Sequence, residues 1–173
     1  MPDQYVYPHI ALNAKEFESA TANSLNMEDI YDRIRKKGAR FNLVISDCCN
    51  TPIGQPAPII PITLAKTRSS QVGWDYDNCS ALFMDRRPTS ILMTAASRDE
   101  LSCCITAGGL FTMTMRASLT DYFSKFHNNV TWMQVLTAIK NETIKRADRT
   151  ARRDEDGSIS RCRQHPVFKI EGN

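Results

Sequence analysis

The residues from Asn26 to Gly38 carry the clearest helical pattern in the chain. Apolar side chains recur there at three- and four-residue spacing, at Met27, Ile30, Tyr31 and Ile34. Such spacing places them on one stripe of an α-helix, which packs against a neighbouring layer. Asn26 is a favourable N-cap, acidic residues follow it, basic residues end the segment, and Gly38 is suited to stop it. We therefore predict a helix between these two residues.

Three short apolar runs predict strands, at residues 40–46, 89–96 and 166–170. Nearly continuous apolar runs of this length are typical of strands that are covered on both faces. A fourth strand is predicted at residues 6–12. Because a helix is followed directly by a buried strand, the pattern favours an α/β fold.

Two further helices are predicted in the C-terminal half of the chain. One covers residues 109–126, after the pair Gly108 and Gly109. The other begins at Thr131, which has capping-box spacing with Gln134, and ends near Ala151, before a turn at residues 154–157. The segment 51–87 is rich in proline and polar residues and lacks helical periodicity. A connection of this length often carries function.

Length and composition limit the classes of protein to consider. At 173 residues, with 42 % hydrophobic and 24 % charged residues, the chain fits one globular domain, residues 1–173. A net charge of +3 is too small to argue for nucleic acid or for an anionic membrane. Neither a membrane span nor a secretory signal is recognisable, so we predict a cytoplasmic protein.

One basic segment leaves a nucleic-acid-binding alternative open. Helical spacing would bring several cations together, at Lys140, Lys145, Arg146, Arg149, Arg152 and Arg153. Acidic residues interrupt this set at Glu142, Asp148 and Asp154, which favours a solvated helix face. We therefore predict no nucleic-acid partner.

The six cysteines are predicted to be reduced thiols. Four of them form the adjacent pairs Cys48-Cys49 and Cys103-Cys104. Neighbours on an extended strand point to opposite faces, so each pair would need two separate disulfide partners. Neither pair has the C-x-x-C spacing of a zinc site, so no metal ligand set is predicted.

The thiols at Cys48 and Cys49 lie where chemistry is expected. They follow the strand 40–46, and ligands of open α/β sheets gather outside the carboxyl ends of strands. A thiol becomes a nucleophile there when an imidazole or a positive field raises its thiolate fraction. The alternative is a buried cysteine that serves as a small hydrophobic residue.

Four segments occur in a distinctive order. A buried strand leads into Asp47-Cys48-Cys49, and Ile91 to Ser97, Ala107 to Thr112 and Gln164 to Phe168 follow. This order resembles the caspase, paracaspase and metacaspase clan of cysteine peptidases (peptidase C14-like). The resemblance implies a three-layer αβα sandwich with a mainly parallel sheet, incomplete at the N-terminus. Residues 1–50 would end the large-subunit region, 51–88 would form the intersubunit loop, and 89–173 the small-subunit region.

The resemblance also implies roles for particular side chains. Cys49, the second residue after the aspartate, matches the nucleophile, and Cys48 is then a packing residue. Asp47 matches the acidic residue that receives a basic P1 side chain, which implies cleavage of peptide or protein substrates after Arg or Lys. The alternative for Asp47 is a strand-end carboxylate that accepts backbone N–H bonds. No cofactor is implied, although many metacaspases require calcium.

The chain departs from the family at the histidine base. The family carries it in a Ser-Gly-His-Gly segment about 50 residues before the cysteine, and no His-Gly occurs in this sequence. His9 lies in the right region but lacks the glycines, whereas His127 and His165 lie in later elements. The sequence therefore leaves two alternatives: a cysteine endopeptidase that uses His9 or a base outside this chain, and an inactive caspase-like fragment that binds other proteins.

Overall fold

The computed structural model describes residues 6–11, 23–51, 73–105, 107–154 and 157–172. Within these ranges the chain combines helices and strands, which confirms the α/β prediction. In chain order the elements are β1 (His9–Ala11), β2 (Ser24–Asn26), α1 (Met27–Arg35), β3 (Phe41–Ser46), α2 (Tyr76–Phe83), β4 (Thr89–Thr94), β5 (Cys104–Ile105), β6 (Gly108–Gly109), α3 (Leu110–Tyr122), α4 (Trp132–Ala147), β7 (Ala151–Arg153), β8 (Ile159–Arg161) and β9 (Val167–Glu171).

The three predicted apolar strands form one sheet with the order β3-β4-β9. Its central strand β4 pairs in parallel with β3 and antiparallel with β9. Leu43 lies opposite Ile91, and Ile91 lies opposite Ile170, so the side chains of these three residues lie on the same face of the sheet. Among the described residues the sheet is therefore mixed, with one parallel and one antiparallel pair.

Helix α1 has the predicted N-cap residue and is followed by the predicted glycine. The Asn26 side chain accepts a hydrogen bond of 2.8 Å from the N–H of Glu28, and Gly38 adopts a φ of 73° just beyond the helix. An unsatisfied N–H is thereby paired at the start, and glycine takes the left-handed conformation that ends the segment. The sequence pattern located this helix to within a few residues.

Helices lie on both faces of the sheet. On one face Tyr31 of α1 packs with Val44 of β3 and Leu92 of β4. On the other face α2, α3 and α4 cover Ile91 and Met93 of β4. The predicted helices at 109–126 and from Thr131 are thus present, and the capping box is formed, with Thr131 and Gln134 bonded in both directions at 2.8 and 3.3 Å.

Helix α2 corrects the expectation that residues 51–87 hold no helix. Asp75 caps it by accepting a hydrogen bond of 2.9 Å from the N–H of Asn78. Its Leu82 is buried, and the Leu82 carbonyl receives the Trp132 indole N–H at 2.8 Å. The helix is two turns long, so tertiary packing rather than a long apolar stripe stabilises it.

The predicted fourth strand does not join the sheet. Strand β1 pairs antiparallel with β2, in a separate two-stranded unit that precedes α1. A second correction concerns the end of α4, which stops at Ala147 rather than near Ala151. Residues beyond it form β7, which pairs with β8 around the predicted turn, where Gly157 donates to the Asp154 carbonyl at 2.9 Å.

The prediction that all six cysteines are reduced is wrong for one pair. Cys103 forms a disulfide with Cys162, which lies 59 residues later and directly after β8. Its neighbour Cys104 remains free. The argument that adjacent cysteines point to opposite faces was sound, but it does not prevent one member of a pair from finding a distant partner.

Candidate active site

The segment from Asp47 to Asn50 leaves the sheet where two parallel strands end together. Ser46 closes β3 and lies beside Thr94, which closes β4. The ladder extends one step further, because the N–H of Ala95 donates to the Ser46 carbonyl at 2.9 Å. The sequence-predicted site therefore lies at the carboxyl edge of a parallel pair, the usual position of sites in α/β proteins.

Cys49 is held against the loop that follows β4. Its half-buried thiol accepts the N–H of Ser102 at 3.3 Å and lies 3.9 Å from the carbonyl oxygen of the same residue. The next residue, Asn50, forms an antiparallel bridge with Glu100, through N–H···O bonds of 2.8 and 2.7 Å that also involve Asp99. These contacts hold the Cys49 sulfur beside the backbone of the loop that follows β4.

Cys48 differs from its neighbour. Its sulfur lies 2.9 Å from the Ser46 hydroxyl, and burial raises the pKa of this thiol above its ordinary value. The charges of Cys49 and Asp47 act in the same direction, against the hydrogen bond from Ser46. A raised pKa keeps the thiol protonated, which agrees with the packing role expected for Cys48.

The Asp47 carboxylate accepts hydrogen bonds from the first turn of α3. One carboxylate oxygen accepts the Ser102 hydroxyl at 2.5 Å, and the other accepts both the N–H and the hydroxyl of Thr112, at 3.1 and 2.5 Å. The N-cap residue Gly109 has no side chain to supply this acceptor, and a Cβ there would overlap the Asp47 carboxylate. The carboxylate therefore caps the helix from another part of the chain.

Gln164 is a site residue that sequence reasoning missed. It is buried, its carbonyl oxygen accepts the N–H of Cys103 at 3.0 Å, and its amide lies 3.3 Å from the Ser102 hydroxyl. The Cys103–Cys162 disulfide ties the same loop to the segment between β8 and Gln164. Ser102, which contacts both Asp47 and Cys49, is thus held from two sides. The sequence signal was the segment Gln164 to Phe168 beside the predicted strand 166–170, which gave no indication of this contact.

The three imidazoles lie in different surroundings. His9 in β1 contacts the Ser24 hydroxyl at 3.1 Å, and His127 contacts Asp121 at 2.8 Å. His165 contacts Glu100 at 2.6 Å, and Glu100 is the residue bridged to Asn50. Within the described residues, the Cys49 thiol forms hydrogen bonds with Ser102 and none with an imidazole. His165 is therefore the imidazole that the bonding network joins to the Cys49 segment.

The described residues contain no group of three or more His, Cys, Asp or Glu side chains arranged to hold a metal ion. In the same ranges, no helix is long and apolar enough to cross a membrane. The cytoplasmic location remains a prediction, and the disulfide is a less usual feature in a reducing compartment.

Comparison with known proteins adds no relative: family models, curated proteins and solved structures gave no match to this chain. The roles of Cys49 and Asp47 therefore depend on the sequence resemblance and on the geometry described above.

Proposed function

We propose that this chain is a caspase-like cysteine endopeptidase domain with Cys49 as its nucleophile. The observation that carries the proposal is the position of Cys49 and Asp47, a thiol and a carboxylate joined through Ser102 at the carboxyl edge of the β3–β4 pair. A thiol and a carboxylate two residues apart in the chain provide a nucleophile and a group that selects a basic side chain of the substrate.

The reaction requires a base for the thiol. The thiolate of Cys49 attacks the scissile carbonyl carbon, the amine leaves with a proton, and water hydrolyses the thioester. General-base assistance is worth about 10²- to 10⁴-fold. His165, oriented by Glu100, and His9 are the imidazoles of this chain to test for that role, alongside a base supplied from outside it.

Asp47 is proposed to receive a basic P1 side chain. An ionised carboxylate offers about four lone-pair sites. Three donors already occupy Asp47, the Ser102 hydroxyl and the two groups of Thr112. One site remains, which suits a lysine ammonium or a single guanidinium N–H better than a bidentate arginine pair.

Hydrolysis of fluorogenic peptides that end in Arg, Lys, Asp or the neutral residue Gln tests this proposal. We expect release after Arg and Lys, reduced to background by Cys49→Ala and unchanged by the neighbouring control Cys48→Ala. Asp47→Asn should lower the preference for basic over neutral P1 residues about tenfold in kcat/KM. Hydrolysis that survives Cys49→Ala would contradict the proposal.

An inactive binding module is the second candidate. It is favoured by the hydrogen bonds of the Cys49 thiol, which among the described residues are to backbone groups of Ser102 and not to an imidazole. An acyloxymethyl ketone separates the two candidates, because it alkylates an activated thiol. Labelling at Cys49 but not at Cys48 supports the peptidase, whereas a folded protein without labelling at Cys49 supports the binding module.

A further inference from the structure

A cavity of about 550 Å³ opens next to the Cys49 segment. Its wall includes Thr51, two residues after Cys49, and Leu101, the neighbour of the Ser102 that contacts the thiol. Four guanidinium groups also line the wall, from Arg98, Arg152, Arg161 and Arg163, together with Ser160 and the carboxylates of Asp99, Glu100 and Asp154. We call this cavity the arginine pocket.

The charges of the arginine pocket are unequally matched. Arg152 is paired with Asp154 at 2.6 Å, and Arg98 lies 3.7 Å from Asp99. Arg161 and Arg163 are exposed, and in the part of the chain that the structure describes their guanidinium groups have no hydrogen-bond or ion-pair partner. Within those residues, two guanidinium groups are therefore unpaired in one concave surface, whose wall holds four guanidinium groups against three carboxylates.

The third acid in the wall, Glu100, has other partners than Arg161 and Arg163. Both oxygens of Glu100 are engaged, one by the His165 ring at 2.6 Å and the other by the N–H groups of His165 and Ser97 at 2.8 and 3.2 Å. A concave wall with surplus charge of one sign attracts ligands of the opposite sign.

The arginine pocket and Asp47 lie on opposite sides of Cys49. The segment from Asp47 to Thr51 runs antiparallel to the loop from Ser102 back to Asp99, with Asn50 bridged to Glu100. Asp47 contacts Ser102 at one end, and Thr51 lines the pocket at the other. The order along this edge is thus carboxylate, thiol and guanidinium groups.

We propose that the arginine pocket binds an acidic side chain of the peptide substrate, while Asp47 receives the basic one. This inference rests on the proposed function. Guanidinium groups match carboxylates because their N–H donors form a fork that pairs with two oxygens. A substrate with an acidic residue near the cleaved Arg or Lys then complements both ends of the site.

Binding to the Cys49→Ala protein tests the arginine pocket without turnover. The probes are short fluorescein-labelled peptides with one arginine and a pair of glutamates, before or after it, and matched peptides with glutamines. Fluorescence anisotropy at low salt should show about two- to fivefold tighter binding of a glutamate peptide, a difference that falls as salt is added.

Arg161→Ala and Arg163→Ala, each in the Cys49→Ala background, should remove this difference. Arg116→Ala, an exposed charge on α3, is the matched control and should keep it. Equal affinities for glutamate and glutamine peptides, or equal losses with the control, would overturn the inference.

The same probes separate this inference from the proposed function. If the Cys49→Ala protein prefers the glutamate peptide but the parent protein hydrolyses no peptide, the inference about the arginine pocket stands and the peptidase proposal is rejected. If the parent protein hydrolyses the glutamate and glutamine peptides at equal rates, and the Cys49→Ala protein binds them with equal affinity, the peptidase proposal stands and the inference about the arginine pocket is rejected.

Discussion

The two faces of the β3-β4-β9 sheet are made of different side chains. One face carries Phe41, Ile91 and Ile170 and packs against a cluster of aromatic residues from α2, α3 and α4. The other face has Val44 and Leu92 at its centre, and it also carries polar and charged groups, at Asn42, Ser46, Ser90, Thr94, Lys169 and Glu171. The first face is an ordinary apolar core, whereas the second contains hydrogen bonds and ion pairs.

The difference between the two faces is a difference of role. The aromatic face stabilises the fold, and the polar face fixes the geometry of the residues that lead to the candidate site. Burial of apolar surface supplies most of the favourable free energy of folding, so the aromatic face dominates stability. Buried polar groups contribute little net free energy when paired, but they fix geometry. Asn42, for example, donates to the Ser90 hydroxyl and to the Ala39 carbonyl, both at 3.1 Å. The polar face leads at its carboxyl end to Ser46 and then to the candidate site.

The largest effect is expected from Trp132→Ala on the aromatic face. Trp132 stacks on Phe41 at 5.4 Å and meets Phe83 edge-on at the same distance. We expect a loss of about 3–5 kcal/mol in the free energy of unfolding, measured by urea denaturation. The control Trp74→Ala removes an indole that is 73 % exposed and should cost far less. Equal losses would remove the distinction between core and surface.

Tyr31→Phe is expected to have a smaller effect on the polar face. The Tyr31 hydroxyl donates to the Ser90 carbonyl at 3.3 Å, a long bond, and the ring is fully buried. We expect a loss of about 0.5–1.5 kcal/mol. A loss as large as that of Trp132→Ala would show that the polar face also carries the stability.

The same hydroxyl gives stability a dependence on alkaline pH. Burial raises the pKa of Tyr31 above its ordinary value of 10.0. The folded state holds the Tyr31 proton more tightly than the unfolded state does. The Tyr31 hydroxyl therefore contributes to the free energy of unfolding below pH 10.0, and this contribution is lost as pH rises through the folded pKa. Urea midpoints between pH 9 and 11 should therefore fall less steeply in Tyr31→Phe than in the parent protein; identical slopes would contradict this assignment.

Lys169→Met should change stability less. The ammonium lies 3.2 Å from both Glu28 and Glu171 and 5.3 Å from the Tyr31 ring centre. The side chain is 34 % exposed, so we expect less than about 1 kcal/mol, decreasing with added salt. Denaturation at low and high ionic strength measures it. A loss independent of salt would indicate packing rather than charge.

Thr94→Val should have the smallest effect, with no loss of stability. The Thr94 hydroxyl is fully buried and has no hydrogen-bond partner in the described part of the chain. Replacing an unpaired hydroxyl by a methyl group of similar size removes a desolvation cost. Thr143→Val is the matched control, because its buried hydroxyl donates to the Ile139 carbonyl at 2.7 Å and its loss should destabilise. A higher unfolding temperature for the control than for Thr94→Val would refute the argument.

The sequence predicted local elements well and their partners poorly. Helix α1 was found because its caps and its apolar stripe lie within a dozen residues of each other. Helix α2 was missed because its stability depends on contacts such as that of Leu82 with Trp132, 50 residues away. The capping aspartate Asp75 was a local signal, but too short an apolar stripe followed it to predict a helix.

The candidate site shows the same limit. The resemblance identified Asp47 and Cys49, and the structure brings both of them to Ser102. It did not identify Ser102, Gln164 or the pairing of Glu100 with His165, because each contact joins residues more than 50 positions apart. Residue spacing along the chain carries no direct signal for such contacts.

The position of the disulfide determines how a broken chain would behave. Cys103 and Cys162 both follow β4, so among the described residues no covalent link other than the backbone connects β3 to the rest of the sheet. A cut between β3 and α2 would leave two polypeptides held by the hydrogen-bonded ladder of β3 with β4 and by the packing of α1. A cut between Cys103 and Cys162 would instead leave fragments that separate only after reduction. Gel mobility with and without reductant would thus report where a protease has opened the backbone.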